Sequence, residues 1–122
     1  MPANSDDIRK TILRYIEFMN ASDVDSIAEL YAEDATLEDP VGTQPIQGRE
    51  AIRVFYAAAV GNVKLEATGN PRVAAGEAAF PMHAHIGETQ ILEIIDLMVF
   101  SDDGLIVSMR AFWSTDQNQP QL

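Results

Sequence analysis

The chain has 122 residues, no cysteine, 47% hydrophobic residues and a formal net charge of −11. This length predicts a single domain over residues 1–122, and the missing cysteines exclude disulfides and thiol catalysis. The acidic surface argues against nucleic-acid partners, and no apolar run is long enough to span a membrane. The polar, acidic start is not typical of a signal peptide, so we expect a cytoplasmic protein.

Three helices are predicted in the first half of the chain. A cap at Ser5 or Asp6 opens the first helix, and residues 22–25 have the form of a capping box that opens the second. A loop rich in turn-forming residues leads into a third helix over residues 49–59. Each helix carries one tyrosine on its apolar face, and these are Tyr15, Tyr31 and Tyr56.

Strands dominate the rest of the chain, where apolar and polar residues alternate with period two. They are predicted at 35–39, 63–67, 73–75, 80–86, 91–100 and 105–113. Because helices come first and hairpins follow, this order predicts an α+β fold. Three N-terminal helices would pack on a curved, mainly antiparallel mixed sheet and form a cone with a deep apolar pocket. The tail over residues 116–122 is expected to be frayed.

Asp96 breaks the pattern of the strongest predicted strand. Residues of even number share one face of this strand, so Asp96 lies among apolar side chains. An ionised carboxylate there is costly without a cation, and no lysine or arginine is an evident partner on the strand. We therefore expect Asp96 to be protonated, as a hydrogen-bond donor suited to stabilising an oxyanion. The alternative is an acid paired with an arginine or a hydroxyl from elsewhere in the fold.

Asp39 is the second candidate, because it ends a predicted strand on the same face as Leu37. Pro40 favours an extended conformation at Asp39 and so helps to set its direction. A partly buried carboxylate beside a cavity is suited to act as a general base, although the alternative is an acid with no role beyond the turn before proline.

The three helix tyrosines indicate either core packing or a network of buried hydroxyls.

Two further groups have weaker implications. His83 and His85 share a strand face, but no third ligand is evident, so an exposed pair is favoured over a metal site. A set of apolar residues is either simple core or the wall of a site for a hydrophobic substrate. This set comprises Phe80, Met82, Ala84, Val99, Met109 and Trp113.

From about residue 8 to residue 115 the chain resembles the bacterial ketosteroid isomerases. The stretches that carry the likeness are residues 15–17, 31–40, 48–50, 55–56, 95–98 and 112–113. The wider nuclear transport factor 2-like and SnoaL-like superfamily shares the same arrangement of helices and sheet, so the arrangement alone does not specify function. The combination of Tyr15, Asp39 and Asp96 is far more specific.

The resemblance implies an isomerase that moves the double bond of Δ5-3-ketosteroids to the Δ4 position without cofactor or metal. Asp39 would be the general base, and Tyr15 with protonated Asp96 would hold the oxyanion of a dienolate. In ketosteroid isomerases, the environments of the two acids keep one of them ionised and the other protonated. Tyr56 would bond to Tyr15, with Tyr31 behind it. The steroid slot would be lined by Phe80, Met82, Ala84, Met98, Met109 and Trp113.

Other interpretations stay open at this point. Residues 80–82 read Phe-Pro-Met where the family usually has Met-Pro-Phe, which leaves the steroid preference undefined. A cyclase or dehydratase of the same fold is one alternative, but dehydratases and epoxide hydrolases of this fold usually need a histidine or an Asp–Arg pair in the pocket. Arg110 is predicted on the opposite strand face. A non-catalytic steroid-binding or dimerisation module is another. A homodimer is expected, with Ile95, Leu97 and Val99 on the outward sheet face.

Overall fold

The structure, a computed structural model, describes residues 1–115, and the tail predicted to be frayed lies outside the described residues. In this part of the chain the helices are α1 (Ser5–Asn20), α2 (Val24–Glu29) and α3 (Arg49–Ala59). The strands are β1 (Tyr31–Glu38), β2 (Ile46–Gln47), β3 (Val63–Ala67), β4 (Arg72–Ala74), β5 (Glu77–Ile86), β6 (Gln90–Phe100) and β7 (Ile106–Phe112).

The strands form one mixed sheet in the order β2-β1-β7-β6-β5-β3, and β4 also pairs with β5. The pair β1 and β7 is parallel, with Leu37 opposite Met109, and the other described pairs of strands are antiparallel. The helices pack on one face of this curved sheet. The predicted α+β architecture, with three helices on a mainly antiparallel mixed sheet, is confirmed.

The caps of the first two helices lie one residue away from the predicted positions. Asn4, and not Ser5 or Asp6, caps α1, because its Oδ1 accepts a hydrogen bond of 2.8 Å from the Asp6 amide. Asp23 caps α2 and accepts a hydrogen bond of 3.2 Å from the Ser26 amide. Both caps are short acceptor side chains, which satisfy the free amide groups of a first helical turn.

Tyr31 lies on a strand, so its predicted place on the second helix is wrong. The helix ends at Glu29, and β1 begins at Tyr31, which pairs with Ile106 of β7. The register of this pairing shifts before Thr36, and the charged residues 33–34 in the irregular part are exposed. These two charges resemble a turn in the sequence, which is why the start of the strand was placed too late.

The core lies between the helices and the inner face of the sheet. The helices α1 and α3 contribute the buried residues Ile8, Ile12, Tyr15, Met19, Ile52 and Tyr56. The long strands contribute Leu37, Phe80, Met82, Ala84, Met98, Met109 and Ala111. Within residues 1–115, Asp96 is the one buried residue of a charged or polar type, with 2% of its surface exposed. No helix in this part of the chain is long and apolar enough to cross a membrane.

Candidate active site

Asp96 lies on the inner face of β6, between Phe80 of β5 and Ala111 of β7. The strand face predicted for it is therefore confirmed. Among the described residues, its Oδ2 atom has no hydrogen-bond partner, and no cation forms an ion pair with it. Burial raises the pKa of Asp96 well above its ordinary value, and the negative charge of Asp39 raises it further. Both effects favour the protonated carboxyl, which is a hydrogen-bond donor.

The three tyrosines meet beside this carboxyl although they come from α1, β1 and α3. The hydroxyl oxygens of Tyr31 and Tyr56 are 2.6 Å apart, and those of Tyr56 and Tyr15 are 3.5 Å apart. Burial raises the pKa of all three phenols, so they stay neutral and can donate. After burial, the charge of an ionised Asp96 is the next largest cause that raises the pKa of Tyr15.

Arg49 supports the same chain of hydroxyls from the backbone side. Its Nε and Nη2 atoms donate to the carbonyl oxygen of Tyr31, at 2.9 and 2.7 Å. This carbonyl lies at the start of β1, where the pairing with β7 is irregular and leaves an acceptor available. A guanidinium fork on one oxygen fixes the position of that backbone more firmly than a single hydrogen bond does.

Asp39 lies one residue beyond β1 and is half-buried. The indole Nε1 of Trp113 donates to its Oδ1 atom at 2.8 Å, and the amide of Val41 donates to the Ala111 carbonyl at 2.8 Å. These contacts hold the Asp39 segment against the end of β7. Burial raises the pKa of Asp39, and the indole hydrogen bond partly opposes this increase. The preceding Glu38 instead accepts from Arg110 Nε at 3.2 Å on an exposed part of the sheet.

The residues predicted to form the substrate wall divide into two groups. Phe80, Met82, Ala84, Met98 and Met109 are buried in the core, and Trp113 is half-buried beside Asp39. Val99 lies on the outer face of β6, as expected with Ile95 and Leu97, so it does not belong to the apolar set of the inner face. A cleft of about 520 Å³ reaches Met82 and Trp113, but much of its lining belongs to the outer sheet face, including His83, Ile95 and Phe112. Contact of the wall with a ligand stays a prediction.

The two histidines lie on the outer face of β5, away from Asp96. No third ligand is evident for them in the sequence, but the structure places one beside them. The Oε1 atom of Glu66, on β3, is 2.9 Å from His85 Nε2 and 3.9 Å from His83 Nδ1. Alternation along residues 63–67 predicts that Glu66 faces outward. Its register against β5 is a long-range pairing that one sequence does not reveal.

The sequence is similar to one protein family and to enzymes of known activity. The SnoaL-like domain family matches residues 12–109. The chain is 42% identical over 113 residues to a steroid Delta-isomerase of Nocardioides simplex, which covers 90% of this chain and 92% of that protein. It is 31% identical over 126 residues to the epoxide hydrolase LasB of Streptomyces lasalocidi, covering 93% of this chain and 43% of LasB.

A solved structure shows the same fold. It is that of SalBIII, described as an epoxide hydrolase/cyclase-like enzyme with a role in pyran ring formation in the polyether salinomycin. The two chains superimpose with a TM-score of 0.84 at 27% identity, over 92% of this chain and 94% of SalBIII. The fold therefore supports more than one chemistry, and the site residues must decide between them.

The chain belongs to the SnoaL-like domain family, within the nuclear transport factor 2-like superfamily. Its similarity to the Nocardioides protein extends over nearly all of both chains and identifies the protein more narrowly as an isomerase. The non-catalytic module considered from the sequence is thereby set aside. The roles of the individual residues remain predictions.

Proposed function

We propose that the protein is a steroid Δ-isomerase that converts Δ5-3-ketosteroids into conjugated Δ4 enones. The observation that carries this proposal is the buried carboxyl of Asp96, whose Oδ2 has no partner among residues 1–115. The charge of an ionised Asp96 would raise the pKa of the buried Tyr15, and the charge of a second acid, the half-buried Asp39, raises the pKa of Asp96. The 42% identity to a steroid Delta-isomerase supports the same assignment.

The proposed reaction is a proton transfer within one molecule. Asp39 removes a proton from C4, between the 3-carbonyl and the 5,6 double bond, and the electron pair moves onto the carbonyl oxygen. The resulting dienolate takes the proton back from Asp39 at C6, which leaves the double bond between C4 and C5. Atoms and electrons balance without an oxidant or a reductant. Asp39 must be ionised at the start, and its half-buried position with an indole partner is compatible with that state.

Tyr15 and Asp96 are the donors proposed for the dienolate oxygen. Donors that are already oriented in a site without water stabilise a developing charge strongly, because little reorganisation is needed during the reaction. Tyr56 and Tyr31 would hold the Tyr15 hydroxyl in place through the observed chain of oxygens. The predicted apolar wall would bind the uncharged steroid skeleton through burial.

A direct test is the ultraviolet absorbance of the conjugated enone after the enzyme is mixed with a Δ5-3-ketosteroid. The wild type should give a rise far above the buffer rate. Glu38→Gln should keep this activity, because the neighbouring Glu38 carboxylate is bonded to Arg110 on the outer side. A wild-type rate equal to that of buffer would overturn the proposal.

Epoxide opening or cyclisation is the second candidate, because LasB and SalBIII share the fold. Both histidines and Arg110 lie on the outer sheet face, so the polar groups of the inner site are acids and phenols. We therefore expect no turnover of epoxide substrates at the Asp39 site. Epoxide consumption that Asp39→Asn abolishes, together with no isomerase activity, would favour this second function.

We also propose that the enzyme is a single-domain homodimer in the cytoplasm. Ile95 has 44% and Phe112 39% of its surface exposed on the outer sheet face, and Leu97 and Val99 are half-exposed beside them. Exposed apolar residues on one face are typical of an interface between subunits. Sedimentation analysis should give twice the chain mass, and a monomer at micromolar concentration would contradict this proposal.

A further inference from the structure

Three potential metal ligands meet on the outer face of the sheet. Glu66 of β3 lies directly opposite His83 of β5 in the antiparallel register, and His85 lies two residues further on the same strand face. One ligand atom from each of the three side chains lies within 4.8 Å of the others. All three side chains are partly exposed in the single chain, so an ion can reach them there from solvent.

The separations suit a tetrahedral ion. Zinc binds imidazole nitrogen and carboxylate oxygen at about 2.1 Å, so two ligand atoms on a tetrahedron lie about 3.4 Å apart. Glu66 Oε1 is 2.9 Å from His85 Nε2 and 3.9 Å from His83 Nδ1, on either side of that value, and all three ligand atoms lie within 4.8 Å of one another. Small rotations of exposed side chains would therefore bring all three atoms to ligand distance, with no change in the backbone.

The composition of the chain adds a second argument. The chain contains two histidines and no cysteine, so both of its imidazoles lie in this one cluster and it has no thiolate ligand. Borderline ions such as Zn²⁺ prefer nitrogen ligands, whereas Mg²⁺ and Ca²⁺ prefer oxygen ligands alone. The cluster faces away from Asp96, because Met82 and Ala84, which alternate with the histidines along β5, point into the core.

We propose that Glu66, His83 and His85 form a binding site for a divalent transition-metal ion of the zinc type. A water molecule would complete the coordination, as is usual where a protein supplies three ligands to zinc. The ion would join β3 to β5 and stabilise the edge of the sheet. The site is independent of the proposed isomerase function and contributes no group to it. The simpler alternative is a hydrogen-bonded pair of His85 and Glu66 with no ion.

The test is calorimetric titration of the untagged, chelator-treated protein with ZnCl₂ at mildly alkaline pH, where imidazole is neutral. We expect one Zn²⁺ per chain, an increase in melting temperature with Zn²⁺ concentration, and no response to MgCl₂. His83→Ala, His85→Ala and Glu66→Gln should each weaken binding by roughly tenfold or more. Loss of either histidine should also remove the thermal stabilisation.

Glu93→Gln is the matched control, because Glu93 lies opposite His83 on the other neighbouring strand but outside the cluster. It should bind Zn²⁺ like the wild type. The proton resonances of the two histidines give a measurement that needs no variant, and both should shift together at one equivalent of Zn²⁺. Absence of binding would overturn the proposal, and so would binding that the three cluster variants leave unchanged or a shift of only one histidine.

Discussion

Two carboxyls of the candidate site have opposite surroundings within a short distance. Asp96 is buried, its Oδ2 lacks a partner among the described residues, and the nearby hydroxyl of Tyr15 is itself buried. Asp39 lies at the end of a strand, is half-buried, and has an indole hydrogen bond that favours its ionised form. Burial therefore raises the pKa of both acids, far more for Asp96, and at Asp39 the indole donor opposes the increase.

The charge of one acid also affects the other. A negative charge on Asp39 raises the pKa of Asp96, which favours the protonated form of Asp96. This direction suits the proposed roles, because a general base must lack its proton and an oxyanion donor must keep it. The predictions below test whether this difference between the two acids is real.

The largest effect is expected from Asp39→Asn, which removes the proposed base and keeps its shape. We expect kcat to fall about 10³-fold or more, because general base catalysis contributes up to roughly 10⁴-fold. Steady-state kinetics with a Δ5-3-ketosteroid measures the loss, and Glu38→Gln is the matched control. If both variants lose the same activity, the loss comes from a disturbed structure at the end of β1, and the proposed role of Asp39 as base is wrong.

Tyr15→Phe should have the next largest effect. Removal of one oxyanion donor costs about 10²- to 10³-fold in kcat, and the affinity for the uncharged substrate should change little. Tyr31→Phe is the control, because it removes a hydroxyl at the far end of the same chain of oxygens. Its kcat should fall by less than about tenfold. Equal losses in the two variants would contradict the placement of the oxyanion beside Tyr15.

Asp96→Asn tests the buried acid through stability. Because its folded pKa is raised, native Asp96 keeps its proton at pH values where the unfolded acid has lost it. The stabilising contribution is therefore complete below about pH 4 and is lost as the pH rises through the folded pKa. The slope reaches about 1.4 kcal/mol per pH unit. Asn cannot titrate, so the free energy of unfolding of the variant should decrease less with increasing pH.

Urea unfolding of the wild type and Asp96→Asn at a series of pH values provides this comparison. Glu38→Gln is the control for the loss of one carboxyl, because Glu38 is paired with Arg110 outside the core. Parallel curves for Asp96→Asn and the wild type would mean that the buried acid titrates alike in the folded and unfolded chains.

The smallest expected effect is a shift in a pH profile. Trp113→Phe removes the indole donor that lowers the pKa of Asp39, so this pKa should rise. Because the base must be ionised, the acid limb of kcat/KM should then move to higher pH. Phe112→Leu changes the exposed neighbouring residue and is the control, which should leave the midpoint of this acid limb unchanged. An unchanged midpoint in Trp113→Phe would show that the indole contributes packing and does not affect the pKa of Asp39.

Local rules were enough to predict the architecture and the position of Asp96. Period-two alternation identifies the face of a strand from a few residues, so the burial of Asp96 among apolar neighbours could be predicted from the sequence. The outward position of Arg110 followed from the same rule, and the structure confirms it. Apolar periodicity likewise located α1 and α3 to within about one residue.

Features that depend on pairing between distant residues could not be predicted from the sequence. The spacing of Tyr31 from Ile27 predicts a helix at Tyr31, but parallel pairing with Ile106 makes this residue the start of β1. Glu66 was not connected with the histidines, because the register of β3 on β5 is set by the whole sheet. The indole bond from Trp113 to Asp39 joins residues 74 positions apart and has no local signal.

The proposed mechanism requires that Asp96 keeps its proton at neutral pH while Asp39 does not. Carbon NMR of the protein labelled at its aspartate carboxyls measures both states, and Asp39→Asn and Asp96→Asn assign the two signals. The Asp96 signal should stay at the position of a protonated acid through neutral pH, and the Asp39 signal should be that of a carboxylate. An Asp96 signal that titrates like an exposed aspartate, near pH 4, would contradict the account.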